Sequence, residues 1–316
     1  MELWLAALAL GAPILLGASA GAVRLFPDPN AAVDHLNRYA LYFAFPALVF
    51  RGLVDADFAL PTEPGFWLLI PLVLAVSALT VRALFPEEAP TLALIVAFGN
   101  VAYLGLPVVE RVLGEDALGL AAVAVAVHVT LALSVGPLLL LRWSGRGDGF
   151  AESAKALARQ PLLWAPVAGL AVHALPGDAR SLLDTMLVDT VIEPLGRSAA
   201  PVALFLLGLY LFTQRARLRR IEGGDVVHLG VKLLFLPALS FGVAFGFHSV
   251  GWLTPAQAQV LCLLAAMPAA ITTFAISQQL GVGAERTSRA IVATSVLSIV
   301  TIPVASWLAL TWVAGW

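Results

Sequence analysis

Apolar residues fill this chain in long blocks, and polar residues are confined to short stretches between them. A helix needs roughly 20 apolar residues to cross a bilayer core about 30 Å thick. Such stretches lie at 3–25, 37–54, 65–84, 90–113, 117–141, 161–176, 196–214, 226–248, 256–280 and 288–313. The pattern predicts an all-α polytopic membrane protein with ten transmembrane helices. The sixth stretch is short. Ser181–Ile192 follows it with apolar residues at helical spacing around Asp184 and Asp189, as in an interfacial helix. Only Arg142–Gln160 reads as a sizeable polar loop. The first stretch contains small residues of the kind found at cleavage sites, yet it opens Met1-Glu2 with no positive n-region, so it is expected to stay as the first span.

Composition narrows the classes. Of 316 residues, 60% are hydrophobic and 12% charged, with a mean hydropathy of +0.92. A soluble domain is about 45–50% apolar and about 25% charged. These values exclude a soluble enzyme, a nucleic-acid binder and a disordered protein. The net charge of −2 offers no field to attract nucleic acid. The single cysteine, Cys262, excludes a disulfide framework or a cysteine-ligated zinc site. No metal or cofactor is expected.

Basic residues predict orientation through their enrichment in cytoplasmic connections. With the N-terminus outside, the inside connections hold 13 Lys and Arg residues and the outside connections hold 4. Both termini are therefore expected outside, with the 144–160 loop in the cytoplasm. The cluster Arg215–Arg220 anchors that topology and suits anionic lipid.

Each predicted span carries an interior proline: Pro13, Pro46, Pro71, Pro107 and Pro137, then Pro166, Pro201, Pro237, Pro268 and Pro303. Taken in order, the pairs are separated by 153, 155, 166, 161 and 166 residues. The spacing predicts two five-helix repeats, over 1–143 and 161–316. Five is odd, so the second copy enters the membrane from the opposite side, as in the inverted repeats of secondary transporters.

Such folds bind substrate near the midplane, where discontinuous helices expose backbone groups. The fourth span carries Gly99-Asn100 and Gly105-Leu106-Pro107 at its centre, and the ninth carries Pro268 followed by Thr272 and Thr273. Glycine tolerates unwinding, and proline removes a donor and clashes with the preceding turn. Helices 4 and 9 are expected to break and cross, aiming two positive helix N-termini at one point suited to a carboxylate. The Asn100 carboxamide can satisfy freed backbone groups or a ligand.

Three stretches resemble the auxin efflux carriers and their bacterial membrane transport relatives. They are Asn37 through Phe50 with its aromatic run into Pro46-Ala-Leu, Gly99-Asn100 through Pro107, and Ala265-Ala-Met-Pro268 with Thr294 through Pro303. The resemblance implies an organic-anion carrier for malate, malonate or auxin-like acids, built from scaffold and transport bundles and dimeric through the scaffold. It also implies that Asn100 contacts the carboxylate, that Pro107 and Pro268 form the crossover, and that Phe45 lines the site. His128 departs from the pattern, because a neutral polar residue is expected at that fifth-helix position.

His128, in the middle of a span, is a candidate for proton traffic or a neutral imidazole bonded to Thr130 or a neighbouring helix. Lys232, about two turns into the eighth span, can snorkel to the interface, which favours an anchor over a substrate counter-charge. Arg51 and Glu110, near helix ends, read as interfacial, and the histidines at 35, 173, 228 and 248 form no ligand spacing. The alternative is a sodium-coupled, bile-acid-type symporter. No carboxylate lies between Leu263 and Gln279 to hold the ion, which ranks that reading second. An intramembrane enzyme lacks its motifs, with no Asp-rich pair and no His-Glu-x-x-His. The expected protein is a multi-pass inner-membrane exporter or uniporter whose partners are a small organic anion and lipid.

Overall fold

The computed structural model describes residues 2–54, 61–143, 161–176, 184–216 and 223–316. The 144–160 loop, Ser181–Leu183 and Arg217–Arg220 lie outside the described residues. In chain order the helices are α1 (Glu2–Ala22), α2 (Pro29–Tyr39), α3 (Phe45–Val54), α4 (Pro64–Leu84), α5 (Ala89–Ala97), α6 (Leu106–Leu113), α7 (Leu118–Trp143) and α8 (Pro161–His173). Then come α9 (Glu193–Arg197), α10 (Ala199–Thr213), α11 (Gly223–Gly230), α12 (Leu236–Ser249), α13 (Pro255–Ala265), α14 (Thr272–Leu280) and α15 (Ala284–Thr311). Among the described residues the architecture is all-helical. Among the described residues, five helical segments are long and apolar enough to cross a membrane: Pro64–Leu84, Glu115–Ala132, Met186–Thr213, Gly223–Ser249 and Ala284–Thr311.

Local chemistry sets the helix starts. Asp28 caps α2 by accepting hydrogen bonds from the amides of Asn30 and Ala31, with Pro29 in the first turn, where no amide is needed. Thr254 and Gln257 form a reciprocal capping box at α13, again with proline at the first position. Gln257 also donates from Nε2 to Glu63 at 2.7 Å, and that bond holds the Glu63 carboxyl below its ordinary value.

Four prolines act in a consistent way, whereas Pro13, Pro71 and Pro303 lie inside uninterrupted α-helices. Wider π turns occupy Ala40–Ala44, Val101–Gly105, Asp184–Ile192 and Val231–Phe235. Each ends two residues before a proline: Pro46, Pro107, Pro194 and Pro237. A proline ring collides with the carbonyl four residues back and offers it no donor, and a widened turn relieves both problems without ending the helix.

The chain forms two compact units. The first comprises Met1–Leu60, Ala102–Ala126 and Ala158–Thr213. In it α1 lies against α10 with glycine on both sides. A Cβ on Gly17 would overlap the Phe205 carbonyl, and one on Gly208 would overlap that of Ile14. Small residues let backbones approach this closely where lipid supplies no hydrophobic drive between helices. In the same unit Phe45 stacks on Tyr103, with ring centroids 4.5 Å apart, and the Tyr103 hydroxyl donates to Asn37 Oδ1 at 2.6 Å. Arg51 is held by Asp189 at 3.0 Å and Glu193 at 3.1 Å.

The second unit comprises Pro61–Val101, Val127–Leu157 and Gln214–Trp316. Here α4 packs on α5 and α12, and α13 packs on α12 and α15. The amide of Gly65 donates to the Trp252 carbonyl at 2.9 Å. The buried Arg289 guanidinium pairs with Asp225 at 2.8 Å, tying α15 to α11. The large apolar side chains Ile299, Val300, Val304 and Trp307 on α15 stay exposed, as expected of a face against lipid.

Candidate functional site

Two helices of the second unit stop at the same place. α5 ends at Ala97, and Phe98 turns to an extended conformation, with φ −105° and ψ 85°. α13 ends at Ala265, and helix resumes at Thr272 after the Pro268 segment. The two extended pieces meet in one antiparallel bridge between Gly99 and Ala269. The Asn100 amide donates to the Pro268 carbonyl at 2.7 Å, and the Ala270 amide donates to the Phe98 carbonyl at 2.9 Å.

Breaking a helix inside a membrane frees backbone groups that must find partners. Several partners are identifiable. The Ala97 carbonyl accepts from Nε2 of the buried His128 at 3.0 Å. A carbonyl only accepts, so Nε2 carries the hydrogen in this arrangement. The Ala269 amide donates to Oγ1 of Thr294 at 3.2 Å, and that hydroxyl donates to the Ala290 carbonyl at 2.7 Å.

Other polar atoms at the breaks bond nothing among the described residues. Nδ2 of the buried Asn100 and Oγ1 of the buried Thr273 have no hydrogen-bond partner. Lys232 is 1% exposed and among the largest fully buried side chains. This overturns the favoured reading of it as an interfacial anchor. Its chain turns inward instead, and Nζ comes to rest against Gly99, 3.2 Å from where a Cβ would stand. Nε2 of His128 lies 3.7 Å from the same point. Glycine is the residue that admits both.

The resulting site has one sign of charge. Among the described residues no acidic side chain occurs from Phe98 to Val101 or from Ala266 to Ile271, while Lys232 supplies a cation and Asn100 an unused N–H. An isolated buried cation is costly, and an anion is its natural complement. Lys232 is the functional candidate that the sequence reading had ranked behind an interfacial anchor.

The expected site residues divide between the units. Asn100, His128, Pro268, Thr272 and Thr273 belong to the second, and Phe45, Gly105 and Pro107 to the first. Phe45 is wholly buried under Tyr103. Pro107 lines a cavity of about 650 Å³ within the first unit, together with Arg51, Arg197, Glu110, Glu115, Asp116 and Glu193. Four carboxylates against two guanidiniums make that cavity a poor anion site.

Described residues that are all-helical, helices long and apolar enough to cross a membrane, and a polar site built at paired helix breaks have the form of a membrane transporter. The family model described as membrane transport protein matches residues 14–306, and the chain belongs to that family. A protein of Rhizobium meliloti (strain 1021) named "Putative malonate transporter" is 30% identical over 294 residues, which cover 88% of each chain. The chain is a multi-pass membrane transporter and not an enzyme.

Proposed function

We propose that this protein is a secondary transporter for small organic carboxylates, with malonate the first substrate to test, and that the carboxylate binds at the helix breaks of the second unit. One observation carries the reading. Lys232 and Asn100 bring a buried cation and an unpaired buried N–H to the same turn of chain, at Gly99–Asn100, with no acidic side chain beside them among the described residues. A carboxylate accepts from both and neutralises the ammonium. Thr273 Oγ1 adds a donor at the second break. The name of the Rhizobium meliloti relative supports the substrate class.

The remaining architecture belongs to the same proposal. Ten spans form two inverted five-helix repeats related by the paired prolines, helices 4 and 9 supply the breaks, and the carrier works by alternating access as a dimer in the inner membrane with both termini outside. The absence of a carboxylate at the described breaks favours a carrier that needs no sodium over a sodium symporter. The test is counterflow of labelled malonate in liposomes holding the purified protein. Saturable exchange that survives replacement of sodium by potassium is expected. Abolition of exchange in potassium would favour the sodium symporter, and non-saturable flux without counterflow would indicate a channel.

A further inference from the structure

Among the described residues, two lysine or arginine side chains are buried, Lys232 and Arg289. Arg289 is already neutralised. Its guanidinium pairs at 2.8 Å with Asp225, itself buried, and reaches Glu285 at 3.5 Å. The half-buried arginines are held by carboxylates too, Arg51 by Asp189 and Glu193 and Arg286 by Glu88. The other described arginines are exposed. Lys232 is thus the buried cation with which no described carboxylate pairs.

The helices of the second unit add no further charge at the breaks. Between Ala89 and Ala97, α5 carries no titratable side chain, and neither does α14. From α7, His128 gives its Nε2 hydrogen to the Ala97 carbonyl, a task that a neutral imidazole performs. On α13 the titratable group is the buried Cys262, and on α12 it is His248, near the far end. His228 of α11 lies at the start of α5, 3.8 Å from Glu88, and Arg82 closes α4. The two open side-chain donors at the breaks, Nδ2 of Asn100 and Oγ1 of Thr273, are neutral.

We infer that the site takes its ligand as a monoanion, so that malonate binds and crosses as hydrogen malonate, with one carboxylate against Lys232 and Asn100 and a neutral far end. The inference rests on the carboxylate reading above. One carboxylate cancels the one unpaired ammonium. A dianion would bring a second negative charge into the membrane interior with no cation to meet it, which is costly. A neutral carboxyl or amide at the far end suits the Thr273 hydroxyl, which can donate or accept. No protein group has to titrate. The ligand brings its own proton on a carboxyl oxygen, and that O–H dissociates in solution on the far side to give the dianion. Both carboxyl groups of malonate are ionised at neutral pH, so the form that binds becomes scarcer as pH rises. Apparent malonate affinity therefore falls with rising pH, by at most about tenfold per pH unit. A ligand with a single ionised carboxylate escapes that loss.

The experiment uses the purified full chain and compares labelled malonate with its half-amide, which has nearly the same size but one carboxylate and no second ionisation. Equilibrium binding of each is measured from mildly acid to mildly alkaline pH. The half-amide is expected to bind with one affinity throughout and, at the alkaline end, to exceed malonate by about tenfold or more. Malonate is expected to close that gap as the pH falls. Malonate that binds as tightly as the half-amide at the alkaline end overturns the monoanion and leaves the carboxylate reading standing. A half-amide with the same pH slope as malonate also overturns it, because a protein group would then be titrating. If neither ligand binds, or if the uncharged diamide competes as well as the half-amide, the carboxylate reading fails and the monoanion falls with it.

Discussion

Nζ of Lys232 rests 3.2 Å from the point where a side chain on Gly99 would begin. The contact joins a buried cation to the one residue of α5's break that has no side chain to exclude it. Gly99→Ala therefore forces the amine to move by a few tenths of an ångström. The end of a lysine is flexible, so the protein is expected to fold with nearly unchanged thermal stability. Malonate affinity, measured by binding to the purified protein, is expected to fall several-fold because the cation is displaced.

Asn100 offers a separate test, since its Nδ2 bonds nothing among the described residues. Removing it costs the fold little. Losing a hydrogen bond to a charged ligand costs about 1.5–3 kcal/mol, or roughly 10–100-fold in affinity. Asn100→Ala should bind malonate that much more weakly while unfolding at close to the wild-type temperature. Wild-type affinity would remove Asn100 from the site.

His128 serves as the donor to a carbonyl that the break leaves free. In His128→Phe the Ala97 carbonyl is buried without that bond, at a cost of about 1–3 kcal/mol. His128→Gln can restore a donor and should recover much of the loss. Thermal unfolding in detergent measures both. The pH profile of malonate transport is expected to match wild type in His128→Gln, and a flattened profile would return the proton-carrying role to this histidine.

In the first unit, Gly208 faces the Ile14 carbonyl with no room for a methyl group. Gly208→Ala must push α1 and α10 apart, and overpacking of this kind costs about 1–3 kcal/mol. A lower unfolding temperature is expected, with malonate affinity of the surviving folded fraction unchanged. Unchanged stability would show that the two helices part freely.

The membrane class was legible because hydropathy is written directly in the apolar blocks. The places where α5 and α13 give way were also legible, because Gly99 and Pro268 are residues that a helix sustains poorly. The π turns before Pro46, Pro107, Pro194 and Pro237 were not. A proline states that its turn must change, and the packing around it decides between a kink and a widening. Lys232 was misread for a tertiary reason. Its side chain is long enough to reach an interface or to fold inward, and only the gap at Gly99, contributed by a different helix, decides between them. The partner of His128 was hidden in the same way, since the Ala97 carbonyl becomes available only once α5 has ended.

The central claim is that a carboxylate sits against Lys232 at the break beside Asn100. Equilibrium binding of labelled malonate to the purified wild type and to Lys232→Gln, at one pH and with folding checked by thermal unfolding, tests it most directly. The account predicts saturable wild-type binding that weakens by more than tenfold in a folded Lys232→Gln protein. Equal affinity in the two proteins would contradict it.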